Sequence, residues 1–412
     1  MEKPELLAPA GNLEKLKIAV LYGADAVYCG GFNYGLRAGA DNFSRSELKE
    51  GTEYAHQHGA RIYITVNMMP HNEDLVGLPE FLRELVDIEV DGLIISDPGV
   101  LRVIREHNID LPLHLSTQAN TVNWQSALFW QEQGLERIIL ARELSWQEIK
   151  EIQEKTDLEL EIFIHGAMCV SYSGRCLLSS YMVGRDPNRG ECAHSCRWKY
   201  HLMEEERPGQ YYPIYEEEGG TYILNSRDLC LVEQMPLIAE CGVDSLKIEG
   251  RMKGLHYTAV VTGVYRQLLD DYYDHPEEFE FSPSFKEELN KISHRPYTEG
   301  FFTGREDETT EFQASSSYLR SYIFVGLVQE YDSENKEAVI EVRNKINRGD
   351  VLEIMGPKRE KFFTEVDYII NSEGEKIDSA PHPRELVKIP LPVRAEPYSI
   401  VRKKRDIDAN KN

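Results

Sequence analysis

Gly23-Ala-Asp25-Ala26-Val-Tyr-Cys-Gly-Gly31 joins three signals: a glycine able to end a helix in a left-handed turn, an acid suited to a tight turn, and a short apolar run of strand type. The pattern recurs at Val90-Asp91-Gly92, Gly134-Leu-Glu136 and Gly242-Val-Asp244, each just before another such run. Working outward, the strand candidates are Glu5–Ala10, Ala26–Gly31, Arg61–Asn67, Gly92–Asp97, Pro112–Thr117, Arg137–Arg142, Glu159–Gly166 and Asp244–Gly250. Between the first seven lie segments such as Asn12–Tyr22, Ser44–His58, Leu78–Glu89, Asn123–Gln133 and Ser145–Glu154, with apolar residues three and four apart. Several begin with Asn or Ser, which can cap a first turn. Tyr257–Tyr273 reads as a last helix. Strands alternating with helices predict a TIM-like (β/α)8 barrel over residues 1–274, with an open doubly wound sheet as the alternative.

The interval from Cys169 to Cys241 breaks the rhythm. Insertions after a barrel strand project from the carboxy-terminal face, so this cysteine-rich segment, residues 169–241, belongs over the mouth. A connector rich in proline, glycine and aromatics spans 275–315. From there to 402 short strands are expected at Tyr322–Gln329, Lys336–Val342, Val351–Met355, Glu365–Ile370 and Leu386–Pro390, a small all-β barrel, followed by a basic tail over 403–412.

The chain has 412 residues, 41% of them hydrophobic, enough for a substantial core. No run of about 18 apolar residues occurs and the first residues lack the pattern of a signal peptide, so a cytoplasmic protein without membrane partners is expected. Seven cysteines in such a chain suit reduced thiols. The net charge of −24 is unevenly placed. From residue 316 onward 17 basic residues balance 17 acidic ones, which leaves 29 basic against 53 acidic in residues 1–315. Arg402-Lys-Lys-Arg405 reads first as a solvated terminus. If the chain meets nucleic acid, the neutral β-module with this basic end, and Arg185, Arg189 and Arg197, are where phosphates would be tolerated.

Four of the seven cysteines, Cys169, Cys176, Cys192 and Cys196, fall within 28 residues. Six residues separate Cys169 from Cys176 and fifteen separate Cys176 from Cys192, unlike the close pairs of a zinc finger, and soft thiolates gathered from wide intervals suit an iron–sulfur cluster, with zinc as the alternative. Glu161, Phe163, Gly166, Cys169, Gly174, Cys176 and Ser179 stand at the fixed positions of the signature of peptidase family U32, the collagenase-like proteases. The resemblance extends through Glu5-Leu-Leu-Ala-Pro-Ala-Gly11, Leu115-Ser-Thr-Gln118, Asn225-Ser-Arg-Asp-Leu-Cys230 and Ser245-Leu-Lys-Ile-Glu-Gly-Arg251. It implies either collagenase-like proteolysis or, in the branch this chain resembles, oxygen-independent RNA hydroxylation. That branch forms 5-hydroxyuridine at the tRNA wobble position, with a 4Fe-4S cluster and with prephenate as hydroxyl source. It further implies Cys169, Cys176, Cys192 and Cys230 as ligands, with Cys196 as alternate, and a carboxy-terminal module similar to β-barrels of translation factors. Beside the enzyme readings stands a non-catalytic subunit that binds RNA or a second U32 protein.

By the barrel rule, residues ending strands face the mouth: Asn67, Asp97, Ser116, Thr117, Gln118, Arg142, Glu143, His165, Glu249 and Arg251. His165, four residues before Cys169, is the candidate for proton transfer. Arg142, Arg251 and Lys247 can receive an anion, or pair internally with Glu143 and Glu249. Catalytic roles are expected of His165, Glu249, Arg251 and Arg142, and substrate contacts of Arg37, Asn67, Gln118 and Lys247. No zinc-protease motif, nucleophile elbow, phosphate loop or dinucleotide fingerprint is present. A cysteine protease would have to use Cys169 with His165.

Overall fold

The computed structural model describes residues 2–31, 34, 43–169, 171–197, 216–217, 220–221, 227–304, 319–357 and 361–405. The glycine-acid turns have a physical role in building it. Gly23, Gly134 and Gly242 take φ values of +100°, +68° and +63°, where a Cβ is disfavoured, and Glu89 makes the same turn ahead of Val90-Asp91. The acid then reaches sideways. Asp25 accepts the Leu6 amide at 2.8 Å, Asp91 the Ile62 amide at 2.7 Å and Asp244 the Leu160 amide at 2.8 Å. Each acid thus satisfies a backbone donor at the start of the neighbouring strand.

The strands so tied are β1 (Glu5–Ala10), β2 (Ala26–Gly30), β3 (Arg61–Val66), β4 (Gly92–Ile95), β5 (Leu113–Leu115), β6 (Arg137–Ile139), β7 (Glu159–Ala167) and β8 (Ser245–Ile248). Each runs parallel to the next, and β8 pairs with both β7 and β1, which closes the sheet. Helices follow every strand: α1 (Leu13–Leu21), α2 (Arg45–Gln57), α3 (Leu78–Ile88), α4 (Pro98–Glu106), α5 (Trp124–Glu132), α6 (Trp146–Lys155), α7 (Met235–Cys241) and α8 (Leu255–Asp274). Asn12, Ser44, Asp97, Asn123 and Ser145 cap five of them through their side chains. The eight-stranded closed barrel predicted from the alternation is therefore present. Among the described residues no helix is long and apolar enough to cross a membrane.

The barrel's lower interior is charged. Arg137, 3% exposed, reaches Glu5 at 2.5 Å, Glu159 at 2.7 Å and Glu161 at 3.3 Å, and Lys247 lies 2.7 Å from Glu161. Tyr63 adds its hydroxyl to Glu5 at 2.8 Å. Burial would raise the Glu161 carboxyl, but Lys247 and Arg137 outweigh it and hold the group ionised.

Past residue 319 the strands form an eight-stranded antiparallel sheet whose pairing, among the described residues, runs from edge to edge without closing. Val325, Ile340, Leu352, Ile354, Val387, Ile389 and Val401 fill its core. Two expectations need correction. The segment expected at Glu365–Ile370 is instead a strand at Lys361–Glu365 hairpinned onto Val351–Met355, plus a short one at Ile369–Ile370. The basic end is no solvated tail either: Ile400–Lys404 is an interior strand, between Tyr322–Asp332 and Val351–Met355.

Arg402 is fully buried, ion-paired to Glu353 at 2.8 Å and to Glu288 of the helix Pro283–Leu289 within the connector. Lys403 pairs with Asp350 at 2.5 Å. Arg402 thus docks the module on the connector helix, and Lys403 is tied within the module. Tyr22 at the end of α1 joins them, donating to the Met355 carbonyl at 2.8 Å and receiving the Ile400 amide at 3.3 Å. Leu327, Met355 and Ile400 pack into the same hydrophobic cluster as the barrel.

Candidate active site at the barrel mouth

A cavity of about 380 Å³ opens at the carboxy-terminal ends of the strands. Its wall includes Tyr28 of β2, Thr65 of β3, Ile94 of β4, Ile139 of β6, Phe163 of β7 and Lys247 of β8, with Asn67, Ser116, Gln118, Arg142, Glu143, Glu249, Arg251 and Lys253 just beyond strand ends. Cys169, Cys176, Cys192 and Cys196 complete it from the segment that follows β7.

The family signature takes on physical meaning here. Glu161 fixes Lys247, and Phe163 supports Arg142, whose guanidinium stands 3.8 Å from the ring centroid. Gly166 has φ +113°, and a Cβ there would lie 2.3 Å from the Glu249 carbonyl oxygen. Ser179 accepts the Ala193 amide at 2.9 Å, which ties the stretch bearing Cys176 to the one bearing Cys192. Further fastening comes from Asn188, which bridges to the Cys176 carbonyl at 2.8 Å, and from Arg189, bidentate on Asp74 at 2.7 and 2.9 Å.

Sulfurs in this segment collect backbone donors. The Leu178 amide points to Cys176 Sγ at 3.3 Å and the His194 amide to Cys192 Sγ at 3.4 Å, while the Ser171 backbone lowers the cost of a Cys169 thiolate. Burial nonetheless pushes the Cys169 thiol up, and the nearness of Cys176 and Cys192 adds to this against the pull of Arg142. Cys176 and Cys192 thus stand close enough to Cys169 for a thiolate on one sulfur to be felt by another. Among the described residues no three His, Cys, Asp or Glu side chains close around a single ion position.

The cations of the wall are seated by neutral oxygens as well as by carboxylates. Arg142 donates to the Ala167 carbonyl at 2.7 Å, with Glu249 at a looser 3.8 Å, and Arg251 donates to the Thr65 hydroxyl at 2.8 Å. Glu143 is occupied by the Ser173 amide and hydroxyl, both at 2.7 Å. Burial drives the Lys247 ammonium pKa down, against Glu161, and its Nζ sits 4.3 Å over the Tyr28 ring. Asn67 Oδ1 and Arg142 Nε are buried without a hydrogen-bond partner, capacity that a polar ligand can use.

The structure therefore brings together Asn67, Gln118, Arg142, Lys247, Glu249 and Arg251 with three of the expected cysteines. It does not bring in His165 or Cys230, and one irregularity explains both. β7 carries an extra residue, Ile164, between the pairs Phe163–Lys247 and His165–Ile248. Such a bulge turns the next side chain to the other face. His165 consequently faces outward with Ile248, packed among Tyr257, Tyr265 and Tyr297, where burial pushes its pKa down to about 3. Cys230, on the strand Asp228–Cys230 opposite His165, follows it, with its sulfur 4.0 Å from the Tyr265 hydroxyl. Cys196 is on the cavity wall instead. Asp97, expected at the mouth, caps α4 by accepting the Gly99 amide at 2.8 Å.

Arg37 lies outside the described residues. The strand-end rule missed Lys253 and His194, which also line the cavity. Lys253 sits four residues past Glu249, and His194 lies between two wall cysteines; the signal for both was proximity to residues already singled out.

Residues 11–311 match the model of peptidase family U32, and residues 320–402 match that family's C-terminal domain. The chain belongs to peptidase family U32. It is 45% identical over 402 residues to tRNA hydroxylation protein P1 of Bacillus subtilis, covering 98% of this chain and 95% of that one. Similarity to tRNA hydroxylation protein P of Escherichia coli is 40% over 435 residues, covering 95% and 94%. An uncharacterized protease of Methanocaldococcus jannaschii is 40% identical over 366 residues, covering 85% and 86%. Within the U32 framework, the signature residues named above serve the mouth: they seat cations, permit one close backbone approach, and clasp the cysteine segment.

Proposed function

We propose that this U32 protein is an RNA-modifying enzyme that hydroxylates tRNA, forming 5-hydroxyuridine at the wobble position, with prephenate as hydroxyl source and a 4Fe-4S cluster at the barrel mouth. The observation that carries the reading is one cavity lined both by four cysteines and by the cations Arg142, Lys247 and Arg251. The names of the two tRNA hydroxylation relatives, aligned over nearly the whole chain, supply the substrate class.

Cys169, Cys176, Cys192 and Cys196 are the ligands this geometry favours, with Cys196 in the place expected of Cys230. A cluster held there would supply one-electron chemistry next to the anion site. Arg142 and Arg251 bind the carboxylates of a small dianionic cosubstrate, as guanidinium groups do in bidentate fashion. Asn67 and Gln118 orient it. Glu249, 3.4 Å from the Tyr28 hydroxyl, is the carboxylate positioned to move a proton. A cysteine-protease route, the one the sequence leaves to the proteolytic reading, needs a thiolate beside a base; here the Cys169 thiol is raised and His165 faces away from the cavity.

The test is nucleoside analysis of tRNA from a deletion strain. Loss of 5-hydroxyuridine and its derivatives, restored by the intact gene and not by a Cys176→Ala copy, is the expected result. Unchanged tRNA together with gelatin cleavage by the purified protein overturns the reading.

A further inference from the structure

We propose that the outer face of the cysteine-bearing segment is a docking surface for unpaired RNA, with Tyr181 and Tyr172 as stacking faces and Arg175 and Arg185 as phosphate contacts. This rests on the RNA reading above and adds where the nucleic acid lies. Five large apolar or aromatic side chains crowd the face: Tyr181 is 83% exposed, Leu177 59%, Tyr172 51%, Met182 45% and Val183 40%. The short helix Leu178–Val183 carries Tyr181, Met182 and Val183, with Leu177 just before it, and is anchored from beneath through buried Ser179, which accepts the Ala193 amide.

The face is continuous with the cavity. Tyr172 lies between Ser171 and Ser173, both on the cavity wall, and its carbonyl is held by Asn120 at 3.2 Å. Arg175 donates to the carbonyl of Gln118, another wall residue, at 2.9 Å.

Charge selects the occupant. Residues 1–315 carry 29 basic against 53 acidic side chains, yet residues 169–197 carry four arginines against Asp186 and Glu191. Arg189 is spent on Asp74, but the stretch keeps a small positive excess on an acidic domain, which favours it as the place for a polyanion. Flat aromatic faces beside arginines suit splayed bases, whose faces a duplex hides by stacking. The cavity behind the rim, about 380 Å³, is of a size to take one extruded base.

The experiment measures binding of the full-length protein to a stem-loop RNA with a uridine-rich loop, and to the fully paired duplex of equal length, by fluorescence anisotropy. Wild type should prefer the stem-loop. Tyr181→Ala with Tyr172→Ala should weaken that binding by about five- to a hundredfold, Tyr181→Trp should retain it, and Arg185→Glu should reduce its salt dependence. Tyr181 is exposed enough that folding is not at stake. If the double variant binds and modifies RNA like wild type, the proposal falls while the RNA reading stands; if wild type neither binds the stem-loop nor restores modified tRNA in the deletion strain, both fall. A double variant that changes oligomeric state at unchanged RNA affinity assigns the face to a second copy and also overturns the proposal.

Discussion

The two ends of the barrel axis use the same kinds of side chain to opposite ends. Toward the amino-terminal ends of the strands, Glu5, Arg137, Glu161 and Lys247 neutralise one another at 2.5 to 3.3 Å in a space almost closed to solvent. At the mouth, Arg142 is held at 2.7 Å by the Ala167 carbonyl and only at 3.8 Å by Glu249, and Arg251 donates to the Thr65 hydroxyl. A cation seated by neutral acceptors keeps its field for an incoming anion, whereas one seated by carboxylates has already lost it. The lower cluster is a structural plug; the upper one is the candidate site. Lys247 belongs to both, since its ammonium answers Glu161 from a position on the cavity floor.

The sharpest test of this division concerns sulfur. Protein prepared without oxygen should carry about four irons, and Cys169→Ala, Cys176→Ala and Cys196→Ala should each lose the iron and the visible absorbance. Cys230→Ala should keep both, because Cys230 packs on the outer side of the wall. Iron lost with Cys230 and kept with Cys196 would reverse the ligand assignment.

Next in size, Glu161→Gln should destabilise the fold by about 3–5 kcal/mol in chemical denaturation, since it strands the Lys247 ammonium in the interior and takes one of three carboxylates from Arg137. Arg251→Ala and Arg142→Ala should leave the cluster in place and raise the KM for the anionic cosubstrate by about ten- to a hundredfold. An equal loss of stability at both ends of the axis would erase the distinction between plug and site.

The smallest effect comes from His165. Its folded pKa is about 3, below the ordinary value near 6.5, so its contribution to stability is complete above pH 6.5 and is lost as the pH falls toward 3. At pH 5.5 the loss is about 1.4 kcal/mol. His165→Gln should flatten the stability curve by that amount, as read from melting at pH 7.5 and 5.5. A histidine at the open mouth would titrate normally and show no such difference.

Local chemistry was enough for much of this molecule. The glycine-acid turns, the alternation of strand and helix, and the capping Asn and Ser residues act within a few positions of themselves, so the barrel is legible in order along the chain. The strand-end residues Asn67, Gln118, Arg142, Glu249 and Arg251 are legible for the same reason, since one topological rule sends them all to the same face. Tertiary structure alone decided what depends on register and on distant partners. One extra residue in β7 turned His165 and, through strand pairing, Cys230 away from the cavity and left the wall position to Cys196; alternation in a sequence does not reveal a bulge that exists only relative to the neighbouring strand. Arg402 likewise reads as part of a charged tail until Glu288 and Glu353, 114 and 49 residues before it, supply the carboxylates that let a guanidinium be buried.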